Sequence, residues 1–160
     1  MEITTQHPNE LIKNGQFDQL ETILNQNPAL VDQADERGFT PLIMAAYFNQ
    51  LEAVKILLAH NADVNKQDPV GNTALMGTCF KGYVAIAQEL IANGADVNLR
   101  SENGASALVY AVNFNQPEVV KMLLKAGAST DVKDNQGHSL YEQAIAKGNQ
   151  EVAELLKRSA

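Results

Sequence analysis

The chain has 160 residues, of which 45% are hydrophobic, with a formal net charge of −7 and a pI near 4.9. That is enough apolar material for one domain with a core, and it excludes a disordered chain. The twelve Lys and Arg residues are scattered, with no run beyond Lys157-Arg158, so the acidic balance argues against nucleic acid or an anionic membrane as partner.

The first clear unit opens at Asp35. Thr40 offers a hydroxyl to cap a helix, and Pro41 follows at the first helical position, where its missing N–H costs nothing. That helix runs to about Phe48 and stops at Asn49, a residue that enters the left-handed conformation cheaply. A second helix follows, with apolar residues at helical spacing in Ala53, Val54, Leu57 and Leu58, and it ends at Asn61. "ADVN" then leads as an extended turn to the next unit, which opens at Asp68 with cap Thr73 and stops at Gly82 and Gly94. The third opens at Ser101, with cap Ser106, stops at Asn115 and Gly127, and Val119, Val120, Leu123 and Leu124 on its second helix. The fourth opens at Asp134, with cap Ser139 and a stop at Gly148. Gly38, Gly71, Gly104 and Gly137 are spaced by 33, and so are Leu57, Leu90, Leu123 and Leu156. Markers of several kinds in one register establish tandem repetition.

A run such as "DERGFTPLIMAAYFNQLEAVKILLAHNADVN" resembles the ankyrin repeat family along nearly its whole length. The resemblance covers Asp35 to the C-terminus in four copies. The segment "KNGQFDQLETILNQNPALVDQAD" looks like a diverged N-terminal copy with one extra residue, keeping Gly15 and Asn27 at the stops. The resemblance implies an all-α solenoid of helix-turn-helix units with hairpin-like turns. One domain over 1–160 is expected, with an N-terminal cap at 1–34, repeats at 35–67, 68–100 and 101–133, and a C-terminal cap at 134–160. Polar residues at the ends suit capping: Gln19, Glu21, Asn25 and Gln26 at one, Gln143, Lys147, Gln150, Glu154, Lys157 and Arg158 at the other. The family usually places a histidine after T-P-L, which ties neighbouring repeats by a hydrogen bond. This chain has Ile43, Met76, Val109 and Glu142 there, so cohesion is expected to rest more on burial.

Nothing in the chain calls for catalysis. His7, His60 and His138 are widely separated, so no metal site is expected. Cys79 occupies the phase of Ala46 and Val112 and reads as a small core residue. The carboxylates recur at structural phases, Asp35, Asp68 and Asp134 at turns and Glu52, Glu118 and Glu151 early in second helices, where they meet the positive end of the helix dipole. No glycine-rich phosphate loop occurs, and no cofactor is expected. The single cysteine excludes an intrachain disulfide and the polar start "MEITTQHPNE" is no signal peptide. A cytoplasmic monomer is the expectation.

Function should lie where the repeat leaves positions free. In the ankyrin family these are the hairpin tips and the exposed face of the first helices, which line a concave groove. Carried over residue by residue, they hold Phe39, Tyr47, Phe48, Phe80 and Phe114 on one surface, with Arg37, Asn72, Lys81 and Asn113 around them. Clustered aromatics mark interfaces, because they supply large contact area for few torsions. The bland alternative is that the rings fold back and seal the groove. The expected function is therefore to bind another protein through the concave face without catalysis. The other readings are an inhibitor or immunity protein that blocks an enzyme or toxin, a scaffold fragment of a larger ankyrin protein, and an engineered or ligand-free structural protein. Polar ends argue against the fragment, and irregular copies argue against engineering.

Overall fold

A computed structural model describes residues 6–159. The first five residues of the expected N-terminal cap, and Ala160 of the C-terminal one, lie outside the described residues. Helices pair along the chain: α1 (Pro8–Lys13) with α2 (Phe17–Gln26), α3 (Pro41–Tyr47) with α4 (Leu51–Ala59), α5 (Ala74–Lys81) with α6 (Val84–Ala92). Then come α7 (Ala107–Asn113) with α8 (Pro117–Lys125), and α9 (Leu140–Ala146) with α10 (Gln150–Arg158). A short 3-10 helix, Pro28–Asp32, follows α2. The odd-numbered helices pack in series, α1 on α3, α3 on α5, α5 on α7 and α7 on α9. The even-numbered helices do the same behind them. The result is two helical layers, an inner one of odd helices and an outer one of even helices.

Local chemistry sets each helix. Thr40 Oγ1 accepts from the Ile43 N–H at 3.2 Å, Thr73 from Met76 at 3.3 Å, Ser106 from Val109 at 3.5 Å and Ser139 from Glu142 at 3.2 Å. In the last copy the Glu142 carboxylate also accepts from the Ser139 N–H at 2.7 Å, which completes a capping box. The expected stops take the left-handed conformation, with φ of 56° at Asn49, 76° at Gly82, 51° at Asn115 and 73° at Gly148. Between the layers Leu42, Leu75, Leu108, Val54, Leu57, Ile86, Leu90, Val120 and Leu123 are almost wholly buried. Each such side chain contributes roughly 1.5–3 kcal/mol relative to exposure. Cys79, at 0% exposure, belongs to this core.

Burial is joined by polar ties that the sequence reading did not foresee. Asn65 donates to the Gly94 carbonyl at 3.4 Å and accepts from the Asp96 N–H at 2.7 Å. Asn98 repeats this one copy later, donating to the Gly127 carbonyl at 3.4 Å and accepting from the Ser129 N–H at 2.8 Å. The asparagine that closes "ADVN" therefore stitches the outer turns together. At the missing-histidine phase Met76 is buried, while Ile43 and Val109 are half-buried. The diverged first copy places Asn9 at this phase, and its amide donates to the Phe39 carbonyl at 2.9 Å. The polar face expected at the C-terminal end is present on α10, where Gln150, Glu154, Lys157 and Arg158 are exposed. On α9, however, Tyr141 and Ile145 are 39% and 44% exposed, whereas Leu108 and Val112 at the same phases are at 0%. Among the described residues no further helix covers them.

Candidate binding groove

The inner helices end at the phases that carry rings. Tyr47 and Phe48 close α3, Phe80 and Lys81 close α5, and Phe114 caps α7. Tyr47 is 50% exposed, Phe48 45%, Phe80 39% and Phe114 49%, so these rings do not fold back into the core. They touch one another instead. Phe80 meets Phe114 edge-on with centroids 4.4 Å apart, and Tyr47 meets Phe48 edge-on at 5.5 Å. The Lys81 ammonium lies 4.9 Å from the Tyr47 ring and 5.6 Å from the Phe80 ring, bridging the two pairs. The five-membered set is continuous from α3 to α7.

Beside this row a groove of about 590 Å³ opens between α3 and α5. Phe39, Ile43, Met44, Tyr47, Met76 and Phe80 form its apolar walls, and Gly77 and Tyr110 also line it. Its volume is that of an ordinary ligand cleft. Lys13 and Arg37 line it from one side.

Three of the expected residues have structural duties as well. Phe39 is half-buried against the core, with the Arg37 guanidinium 5.1 Å from its ring. Asn72 is half-buried and accepts from the Tyr110 hydroxyl at 3.0 Å. Asn113 is half-buried, and Lys147 donates to its carbonyl at 3.1 Å and its side-chain oxygen at 2.9 Å. Lys13, Met44, Gly77 and Tyr110 were absent from the sequence reading. Met44, Gly77 and Tyr110 share one phase of the repeat, so that column was the signal available for three of them.

Hairpins hold the rim. Asp35 Oδ1 accepts from the N–H groups of Arg37 and Phe39, both at 3.0 Å, and Asp68 and Asp134 repeat the pattern. Where Ser101 replaces the aspartate, Asn103 accepts from the Ala105 N–H at 3.2 Å and from the Ser101 hydroxyl. Burial pushes the Asp35 carboxyl up, but the Phe39 N–H, the Asn9 amide and the two Arg37 donors outweigh it and hold it below its ordinary value. Asp134 is also held low, first by the His138 N–H, with the His138 ring and the Gln136 N–H adding to it. Burial pushes the Cys79 thiol up to about 12, which makes it a poor nucleophile. Among the described residues no group of three or more His, Cys, Asp and Glu is placed to hold a metal ion, and no helix is long and apolar enough to cross a membrane.

The human DNA-binding protein RFXANK is 46% identical over 54 residues, which are 34% of this chain and 21% of that protein. The chain thus matches about a fifth of the length of that relative. A family model described as ankyrin repeats in three copies matches residues 10–101 and again 75–160. With paired helices in two layers, hydroxyl caps and left-handed stops in one register, and a family model spanning nearly all of it, the chain belongs to the ankyrin-repeat family.

Proposed function

We propose that this chain binds another protein through the face built by α3, α5, α7 and their hairpins, without catalysing a reaction. Ankyrin repeats are in general protein-interaction modules, and the reading rests on one observation about this member. Tyr47 with Phe48 and Phe80 with Phe114 form two exposed, touching pairs bridged by Lys81, at phases where sister copies carry Lys81, Asn113, Ala146 and Lys147 on the same helical frame. Folding therefore does not require rings there, and exposed contiguous aromatics are the residues that dominate protein interfaces. Phe39 and Met44 extend the apolar surface into the groove, and Arg37, Asn72, Lys81 and Asn113 supply the polar rim.

The relative's name mentions DNA, but a chain of net charge −7 with its groove walls apolar favours a protein partner. In this reading the chain acts as a cytoplasmic monomer, one solenoid with its outer copies as caps. Affinity capture with mass spectrometry from the source cells tests it, and the partner's identity separates a blocking role from a scaffolding one. Tyr47→Ala with Phe80→Ala should leave helical circular dichroism unchanged and weaken the captured partner by at least about 2 kcal/mol. Gln88→Ala on the outer layer should change neither. Unchanged affinity in the folded double variant would remove this face from the interface, and unfolding would return the rings to the core.

A further inference from the structure

Gly77 has no structural reason to be glycine. It lies inside α5, its φ is not positive, and a Cβ added there meets nothing within 4 Å. The other nine glycines, by contrast, all have positive φ. Glycine inside a helix is unfavourable relative to alanine, and the sister copies carry Met44, Tyr110 and Gln143 at this phase. Gly77 lines the groove together with Met44 and Met76, and the space a side chain would fill there is empty. Methionine walls adapt to an inserted apolar group.

The charges around this opening run against the rest of the chain. The sequence holds 19 Asp and Glu against 12 Lys and Arg, yet Lys13 and Arg37 line the groove and Lys81 lies over two of its rings. Among the described residues neither Lys13 nor Lys81 has an ion-pair partner, and Arg37 has only Asp35, at 3.4 Å. The groove's own carboxylate, Asp68, is committed to its hairpin, accepting from the Val70 N–H at 3.0 Å and the Asn72 N–H at 2.8 Å. Beyond the groove, the contact of Phe80 with Phe114 carries the apolar track on to α7, which suits an elongated occupant better than a compact one.

We propose that the groove receives an extended acidic segment of the partner protein, with one bulky apolar side chain seated over Gly77 and flanking carboxylates against Lys13, Arg37 and Lys81. This deepens the protein-binding reading above and rests on it.

The test is to pan a random peptide library, displayed on phage, against the full chain, and then measure synthetic copies of the enriched peptides. Two variants probe the floor, Gly77→Met and Gly77→Tyr, both residues that sister helices already accept. A third, Lys13→Glu with Arg37→Glu and Lys81→Glu, probes the rim, and circular dichroism checks that all three fold. The expected peptides carry one Leu, Ile, Met or Phe flanked by Asp or Glu. They should lose at least about tenfold in affinity on either floor variant. On the rim variant they should lose about tenfold or more, and they should weaken as salt is raised. Neutral or basic peptides that are lost on the floor variants would overturn the acidic partner while leaving the groove as the binding site. Peptides indifferent to the floor variants, or no enrichment at all, would overturn the inference outright. The concave-face reading falls with it only if the captured partner is also indifferent to Tyr47→Ala with Phe80→Ala.

Discussion

The inner pair α3–α5 and the inner pair α7–α9 are built on the same phases and turn different surfaces outward. The frame is shared: hydroxyl caps at Thr40, Thr73, Ser106 and Ser139, and buried Ala45, Ala111 and Ala144. In the first pair the free phases hold Met44 with Gly77 and Tyr47 with Phe80, and a groove opens. In the second they hold Tyr110 with Gln143 and Asn113 with Ala146, and Lys147 closes onto Asn113. The hairpins differ in the same sense. At Gly71 an added Cβ would stand 3.0 Å from the backbone of Ser101 and Glu102, and the Glu102 N–H donates to the Val70 carbonyl at 3.0 Å. At Gly104 and Gly137 such a Cβ meets nothing within 4 Å. One scaffold thus carries a specialised half and a plainer half.

The largest effect expected from this contrast is at the hairpins. Gly71→Val and Gly104→Val both force a branched residue to φ near 80°, since the native angles are 83° and 80°. Only Gly71→Val also presses on neighbouring backbone, so it should cost about 3 kcal/mol or more in urea unfolding, against about 1–2 kcal/mol for Gly104→Val. Equal costs would mean that the two hairpin regions are packed alike and would break that part of the comparison.

A smaller effect of opposite sign is expected in the groove. Gly77→Ala should stabilise by about 0.5–1 kcal/mol, because helix propensity is gained and no clash is made. The matching change in the plainer half, Tyr110→Ala, should destabilise by about 1 kcal/mol or more, since it removes the bond to Asn72 and the ring's packing. If Gly77→Ala also destabilised, the glycine would be part of the frame rather than of the surface.

The smallest effect concerns pH. Asp35 is held below its ordinary value in the fold, so it stays ionised to lower pH than in the unfolded chain. Its contribution is therefore present above about pH 4 and is lost as pH falls through the folded value. Asp35→Asn should lower Tm at pH 7, and the difference should shrink progressively as pH falls below about 4. Asp134→Asn at the plainer end, where the carboxylate is exposed, should change Tm less at every pH. The reverse order would mean that the front hairpin gains nothing from its tie to Asn9 and Phe39.

The caps, stops and buried phases were legible in the sequence because each is decided within a few residues, by a hydroxyl beside an orphan N–H or by a residue that tolerates positive φ. The exposed ring row was legible for the same reason, since phase alone sets which side of an inner helix faces outward. What escaped depends on distances between copies. Lys13 joins the groove from the diverged first copy, where Gly15 stands 34 residues before Asn49 instead of 33, so a strict 33-residue comparison misplaces it. The stitching by Asn65 and Asn98 looked like part of a turn until the next copy's turn was set beside it. Asn72 and Asn113 were expected as free rim groups and prove to be half-committed, because Tyr110 and Lys147 are long enough to reach them from the following copy.

Cys79 gives this molecule a built-in clock. It is the chain's single thiol, at 0% exposure on α5, the helix that forms one wall of the groove. A thiol-specific reagent reaches it only when that part of the stack opens, so the labelling rate reads the opening free energy of the middle of the solenoid. An occupant laid across α3 and α5 must be shed before α5 can open, so it lengthens the labelling time by a factor of one plus the ratio of its free concentration to Kd, the reciprocal of the unoccupied fraction. The fraction of chains engaged by a partner is thereby written into the rate of a single chemical reaction, readable by mass spectrometry in a crude extract without a tag or a dye on either protein.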